Sequence, residues 1–217
     1  MNFHVVTLFP EVIDAYTSAS ILGRAQEEKL LKVTSYQLRD SVTNKWRKVD
    51  ERPYGGGPGM VIQAEPVVVA VQKILKKHPG AKVLITQAGG KELNNAYAKK
   101  LLKHKDVIIV CGRYEGIDSR AKKILKAEEV SVGPYILTGG EVPAMAIIDA
   151  TARQIPGVLG KFESLEESRV AAHEIYTRPE VLEVAGKKYK VPKVLLSGNH
   201  AKMDEWKEKT RSNPTGK

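Results

Sequence analysis

Cysteine is almost absent from this chain: Cys111 is the only one in 217 residues. A lone thiol excludes an intramolecular disulfide and any zinc site built on several thiolates. Long apolar runs are missing too, since no stretch approaches the ~18 residues needed to span a bilayer. The opening MNFHVVTLFPEV has neither the basic start nor the long apolar core of a signal peptide and reads as a first strand. The expectation is a cytoplasmic protein with no membrane partner. Nucleotide-binding loops are lacking as well. In RPYGGGPGM, Arg52 to Met60, no Gly-Lys-Ser/Thr follows the glycines, and no helix can start inside Gly-Gly-Gly-Pro-Gly. A Rossmann-type methyltransferase would carry a Gly-rich loop after its first strand, where this chain has PEVID. There is no serine nucleophile elbow. The five histidines are scattered with no pair at metal-ligand spacing, so no metal site is expected. His4 reads as a structural histidine in a strand, and Cys111, closing an apolar strand, as core. With covalent, metal and dinucleotide chemistry unsupported, a backbone-lined pocket for a small ligand remains, with charged side chains around it.

Positive charge, by contrast, is plentiful. Lys and Arg total 35 against 25 Asp and Glu, a net charge of +10. A basic balance points to a polyanionic partner, nucleic acid first. The excess is concentrated: from Lys187 to Lys217 there are nine Lys/Arg against three Asp/Glu, so this tail holds +6 of the total. With 42% hydrophobic residues the chain can also build an ordinary globular core.

Periodicity alternates between strand and helix. FHVVTLF reads as a strand, followed by a helix with Pro10 in its first turn and a second, ILGRAQEEKL, capped by Ser20. LKVTSYQL alternates as a strand. A polar loop runs from Arg39 to about Met60 and leads into the helix AEPVVVAVQKILKKH. KVLIT, DVIIV and EEVSV read as strands. NNAYAKKLLKH, capped by Asn94, then DSRAKKILK and VPAMAIIDATARQI read as helices. This alternation predicts an α/β fold, a parallel sheet covered by helices on both faces. Such sheets bind ligands beyond the C-terminal ends of their strands. Three Gly-rich stretches, QAGG, CGRYEG and GPYILTGG, each follow a strand at that end, so a shared site is expected there. The boundaries are a domain over 1–160, a polar acidic linker over 161–175 and a short basic domain over 176–217.

Six motifs occur in order: RPYGGGPGM (52–60), CGRYEGID (111–118), GPYILTGGE (133–141), IPGVLG (155–160), YTRPEVLE (176–183) and LLSGNH (195–200). Together they resemble the bacterial tRNA (guanine-N1)-methyltransferases, the TrmD family of the SPOUT class. The resemblance runs from LFPE near the start to about SGNHAKMDEW. It implies a SPOUT-type fold with a deep C-terminal trefoil knot and a small, mainly helical C-terminal domain that grips tRNA. It implies a homodimer with its active site between subunits, and a magnesium requirement. It implies methyl transfer from S-adenosylmethionine to N1 of the guanosine at position 37, when another guanosine precedes it. The three Gly-rich loops would then form the cofactor pocket, with Gln87, Gly112, Tyr114, Glu115, Val132, Gly133, Pro134, Tyr135, Ile136, Leu137, Gly139 and Gly140 as its residues. Arg153, in DATARQIPG, matches the catalytic arginine. Arg24, Asp50, Arg52, Arg113 and Tyr176 are the expected substrate-side residues. The general base falls in the linker, where the family reads Asp-Ser-Phe and this chain has Glu167-Ser168-Arg169; Glu167 is the candidate and Glu166 the rival register. Gln87-Ala88-Gly89-Gly90 replaces the family's Ser-Pro-Gln-Gly, and Pro134 replaces an acidic residue. The competing readings are a non-catalytic or weakly active SPOUT-type RNA-binding relative, and a SPOUT enzyme acting on a ribose hydroxyl or another RNA.

Overall fold

Five of the strands read from the sequence lie side by side in the computed structural model, which describes residues 1–159 and 174–211. They are β1 (Asn2–Thr7), β2 (Lys32–Gln37), β5 (Lys82–Glu92), β6 (Asp106–Val110) and β7 (Glu128–Ser131). Their order is β2-β1-β6-β5-β7, and every pairing is parallel. Two further strands of two residues each pair antiparallel: β3 (Asp50–Glu51), inside the expected polar loop, and β4 (Val61–Ile62), just after it.

Alternation along the strands sends successive side chains to opposite faces, and both faces are covered. On one, Phe3, Val5, Leu84, Val107 and Ile109 pack against α1 (Pro10–Thr17), α2 (Ser20–Glu27), α4 (Asn95–Leu101) and α6 (Glu141–Ala152). On the other, Val6, Val83, Ile85, Ile108 and Val110 pack against α3 (Ala64–Lys77) and α5 (Ser119–Leu125). The helix ends follow local chemistry. Pro10 stands in the first turn of α1. The Asn94 side chain accepts a hydrogen bond from Tyr97 N–H, and that of Asp118 accepts one from Arg120 N–H.

Two details depart from the sequence reading. Ser20 does not cap α2: Ala19 holds the cap position, no side chain caps the helix, and Ser20 is its first residue with φ of 51°. More consequentially, β5 does not stop at Thr86. Thr86 and Lys91 both stand opposite Val130 of β7, so Gln87–Gly90 are looped out and the strand then resumes. QAGG is therefore a wide bulge inside a strand. Gly90 makes it possible, because a Cβ there would lie 2.6 Å from the Glu129 carbonyl carbon and the Val130 nitrogen.

The chain divides into two units, Met1–Gly160 and Lys161–Lys217. Within the second, β8 (Val181–Val184) and β9 (Lys187–Lys190) form an antiparallel hairpin. Ala185 and Gly186, with φ of 50° and 73°, supply the two left-handed turn residues such a short connection needs. α7 (Lys193–Leu196) and α8 (His200–Arg211) follow. Among its described residues helices hold more than strands, but the hairpin was not anticipated. No helix among the described residues is long and apolar enough to cross a membrane.

At the edge of the sheet Lys82 Nζ lies 2.6 Å from Glu128 Oε2, joining β5 to β7. The lysine holds the Glu128 carboxyl below its ordinary range, against the opposing effect of burial. A carboxyl whose folded pKa is depressed adds stability above its unfolded pKa, and that gain fades as pH falls through the folded one. Glu128→Gln should therefore cost roughly 0.5–1 kcal/mol at pH 7. In urea titrations the gap from wild type should close as pH drops below about 4, where the unfolded carboxylate protonates.

Candidate active site

β6, β5 and β7 are neighbours in the sheet, so the three Gly-rich segments meet at one end of it. They enclose a cleft of about 250 Å³. Its walls include Gln87, Gly112, Tyr114, Glu115, Val132, Gly133, Tyr135, Ile136, Leu137, Gly139 and Gly140. Eleven of the twelve expected pocket residues thus line one cleft; Pro134 is not among the lining residues. Sequence reasoning missed Thr86, Val130, Ser131, Thr138 and Pro143, and gave Arg113 a place on the RNA side; all six also line it.

Main-chain contacts hold the loops together. Gly140 N–H donates to Gly112 O at 2.8 Å, and Gly112 N–H donates to the Thr86 hydroxyl at 3.2 Å. Three strands are thereby laced by one hydroxyl and two glycines. A Cβ on Gly140 would come within 2.6 Å of Gly112 N. Ser131 acts similarly within the last loop: its hydroxyl donates to Gly133 O at 2.9 Å and accepts from Gly133 N–H at 3.2 Å. The Tyr135 hydroxyl donates to Val132 O at 3.0 Å.

Beneath the loops lies Glu141, 2% exposed, the first residue of α6. Its Oε1 accepts from Thr7 Oγ1 at 2.7 Å and its Oε2 from Arg113 Nε at 3.0 Å. Arg113 also reaches Thr138 O at 3.4 Å and lies over the Phe9 ring, 4.5 Å from its centroid. It is a fastener of the cleft wall. Burial, and behind it the Glu141 charge, push the Cys111 thiol well above its ordinary range, which suits its reading as core.

The RPYGGGPGM segment borders this cleft through its second half. Glu115 N–H donates to Met60 O at 3.0 Å, and a Cβ on Gly59 would lie 2.9 Å from the Glu115 Cγ. Ile62 N–H donates to Gly116 O, and Asp118 N–H to Ile62 O, both at 2.9 Å. Gly55, Gly56 and Gly57 have open space where a Cβ would stand; they are glycines for their φ of 88°, 77° and 109°. Asp50 reaches the cleft indirectly: burial first, then a hydrogen bond to the Asp50 carboxylate, push the Tyr114 phenol up. Arg52 lines a separate hollow with Tyr54, Asp118 and Arg120.

Arg24 and Arg153 do not line the cleft. Arg24 is exposed on α2. Arg153 caps the C-terminal end of α6, whereas the cleft sits at its N-terminal end; twelve residues of helix rise ~18 Å. Tyr176 belongs to the second unit, where its hydroxyl donates to Glu174 at 2.6 Å and its ring meets Trp206 at 6.3 Å. Glu166 and Glu167 lie outside the described residues.

A cleft formed by main-chain loops at the C-terminal ends of three parallel strands defines a small-ligand site of an α/β enzyme. Comparison with known proteins gives the family. The family model described as tRNA (Guanine-1)-methyltransferase TrmD matches residues 1–217. A tRNA (guanine-N(1)-)-methyltransferase of Clostridioides difficile is 43% identical over 213 residues, covering 95% of this chain and 90% of that protein. One from Pasteurella multocida is 45% identical over 208 residues, covering 94% and 83%. The crystal structure of tRNA (m1G37) methyltransferase from Aquifex aeolicus superposes with a TM-score of 0.80 at 38% identity, covering 97% of this chain and 89% of that one. The chain belongs to the TrmD family of tRNA (guanine-N1)-methyltransferases, and its sheet and helices match that fold.

The lacing yields a direct check. Gly140→Ala should lower stability by ~1–3 kcal/mol through overpacking and abolish S-adenosylmethionine binding, as read by denaturant titration and calorimetry. A variant that binds the cofactor normally would mean that the Thr86–Gly112–Gly140 contacts do not shape the site.

Proposed function

We propose that this protein methylates N1 of the guanosine at position 37 of tRNA with S-adenosylmethionine in the Gly-laced cleft. The observation that carries this reading is the convergence of three loops from β5, β6 and β7 on one cleft in a chain of this family. The cleft suits the cofactor. Gly140 leaves no room for a Cβ, a Cβ on Gly139 would meet the Arg113 side chain, and one on Gly112 would stand 3.3 Å from Thr86 O, so main-chain groups are exposed at its wall. Val130, Leu137 and Pro143 add apolar surface. When bound, S-adenosylmethionine supplies an electrophilic methyl group on a sulfonium.

The remaining chemistry belongs to the protein. Guanine N1 carries a proton, and Glu167 is the proposed base that removes it, with Glu166 as the alternative register. Negative charge then builds on guanine O6, where Arg153 donates. In-line positioning of the two reactants supplies several kcal/mol by itself. Since ~18 Å of α6 separates Arg153 from the cleft of its own chain, a homodimer that brings Arg153 of one subunit to the cleft of the other completes the site. The trefoil knot, the 161–175 linker, the basic 176–217 domain as tRNA grip, and Arg24, Asp50, Arg52 and Tyr176 as substrate-side residues belong to the same proposal. Lys187, Lys188 and Lys190 on β9 give that domain cations for phosphate contacts. Magnesium prefers oxygen donors. Among the described residues no cluster of three or more carboxylates offers them, and no step is assigned to the ion.

The first test is transfer of labelled methyl to an unmodified tRNA transcript with guanosines at positions 36 and 37, beside one with adenosine at 37. Label mapped to N1 of the first transcript alone is expected. Cofactor binding without transfer would instead support an RNA-binding relative, the reading that the glutamate in place of aspartate at 167 favours. Arg153→Ala and Glu167→Gln should each lower kcat by ~10²–10³ with cofactor affinity unchanged. Full turnover in Glu167→Gln would remove Glu167 as the base. Mixed dimers pairing Arg153→Ala with Gly140→Ala should recover activity that neither parent dimer has, because one of their two sites contains neither change. Mixed dimers as inactive as their parents would argue against a shared site.

A further inference from the structure

Linear spacing offered no metal set, yet the fold assembles one at the end of the sheet opposite the cleft. His4 stands near the start of β1, and Asp106 opens β6 in register with Asn2. His78 ends α3. The donor atoms of these three side chains all lie within 4.8 Å of one another. Asp106 Oδ1 is 2.9 Å from His78 Nδ1 and 3.2 Å from His4 Nε2. The two imidazole centroids are 4.2 Å apart.

Two imidazole nitrogens and one carboxylate oxygen are donors that zinc accepts, with a water completing the tetrahedron. Ligand atoms on one zinc at ~2.0–2.1 Å lie roughly 3.3 Å from each other. Two of the three edges are already close to that, so a zinc ion needs small adjustments rather than a rebuilt site. Outer partners are in place as well. His4 Nδ1 is 3.1 Å from the Tyr36 hydroxyl on β2, and Asn2 Nδ2 donates to Asp106 Oδ1 at 2.9 Å. With a metal on Nε2, the His4 ring proton sits on Nδ1 and is donated to the Tyr36 oxygen, which fixes the ring as metal-bound histidines require. Access is graded. The His4 and Asp106 side chains are 4% and 12% exposed, and that of His78 is 29% exposed, leaving a solvent side for entry and for the water ligand.

We propose that His4, His78 and Asp106 form a zinc site that staples the end of α3 to the N-terminal edge of β1 and β6. It lies outside the methyl-transfer site and does not depend on that assignment. The ion ties the end of α3 to two strands already paired with each other in the sheet, and its binding energy adds directly to folding stability.

The test uses untagged full-length protein freed of metal by a chelator and titrated with Co²⁺, then Zn²⁺. One equivalent of Co²⁺ with the visible bands of four-coordinate cobalt is expected, displaced by Zn²⁺ and accompanied by a higher thermal midpoint. His78→Ala changes a partly exposed side chain and should leave the fold intact. It should erase the cobalt bands and weaken Zn²⁺ by at least ~100-fold, while Tyr36→Phe, an outer partner, should weaken it ~10-fold. Absence of a stoichiometric cobalt spectrum at low-micromolar metal, or the same spectrum in His78→Ala, would overturn the proposal and leave the cluster a hydrogen-bonded clasp.

Discussion

The carboxylate of Glu141 is the tie on which the geometry of the cleft depends. It is almost wholly buried, and it stands in the first turn of α6, where the helix dipole favours a negative charge. One oxygen holds Thr7 at the end of β1; the other holds Arg113 in the loop after β6. Arg113 passes the connection on to Thr138 O and to the Phe9 ring. Three segments remote in sequence are therefore fixed by one side chain. Removing Arg113 would leave the buried Glu141 carboxylate without its counter-charge, which costs more than the pair itself contributes. The bulge in β5, held by Thr86 and Gly90, adds the third wall.

This construction suits a reaction that needs alignment more than it needs reactive side chains. Walls of main chain, spaced by glycines of which Gly140 admits no Cβ, give a ligand fixed donors and acceptors. Such groups do not reorganise when charge moves. Of the charged groups proposed for proton removal and O6 stabilisation, Arg153 is a helix length away from the walls, and Glu167 lies outside the described residues. In the proposed reaction, cofactor grip and O6 stabilisation fall to opposite ends of α6, which is why the proposed site asks for a second subunit.

Much of the fold was legible because its signals are local. Alternation in KVTSYQ, the apolar run DVIIV, Pro10 in a first helical turn and the Asn94 cap each report conformation within a few residues. The cleft was legible for a similar reason, since glycines clustered after strands mark places where backbone must turn or approach closely. Where the reading slipped, a distant segment had intervened. KVLIT was read as ending at Thr86, but β7 offers Val130 as partner to residues on both sides of the bulge. Ser20 has the chemistry of a cap, yet the chain enters α2 through Ala19. The hairpin at Val181–Lys190 is built on Ala-Gly, a weaker turn signal than Asn-Gly.

The sequence by itself determined the order of strands and helices, the parallel sheet and the family, because periodicity and ordered motifs are properties of neighbours along the chain. It also settled which segments line the cleft, since each glycine-rich stretch announces its own backbone freedom. Only the tertiary structure decided that Arg113 serves Glu141, that QAGG bulges within a strand, and that His4, His78 and Asp106 share one point. Those facts depend on strand order and register, which set which distant residues come within a few ångströms, and no local pattern encodes that.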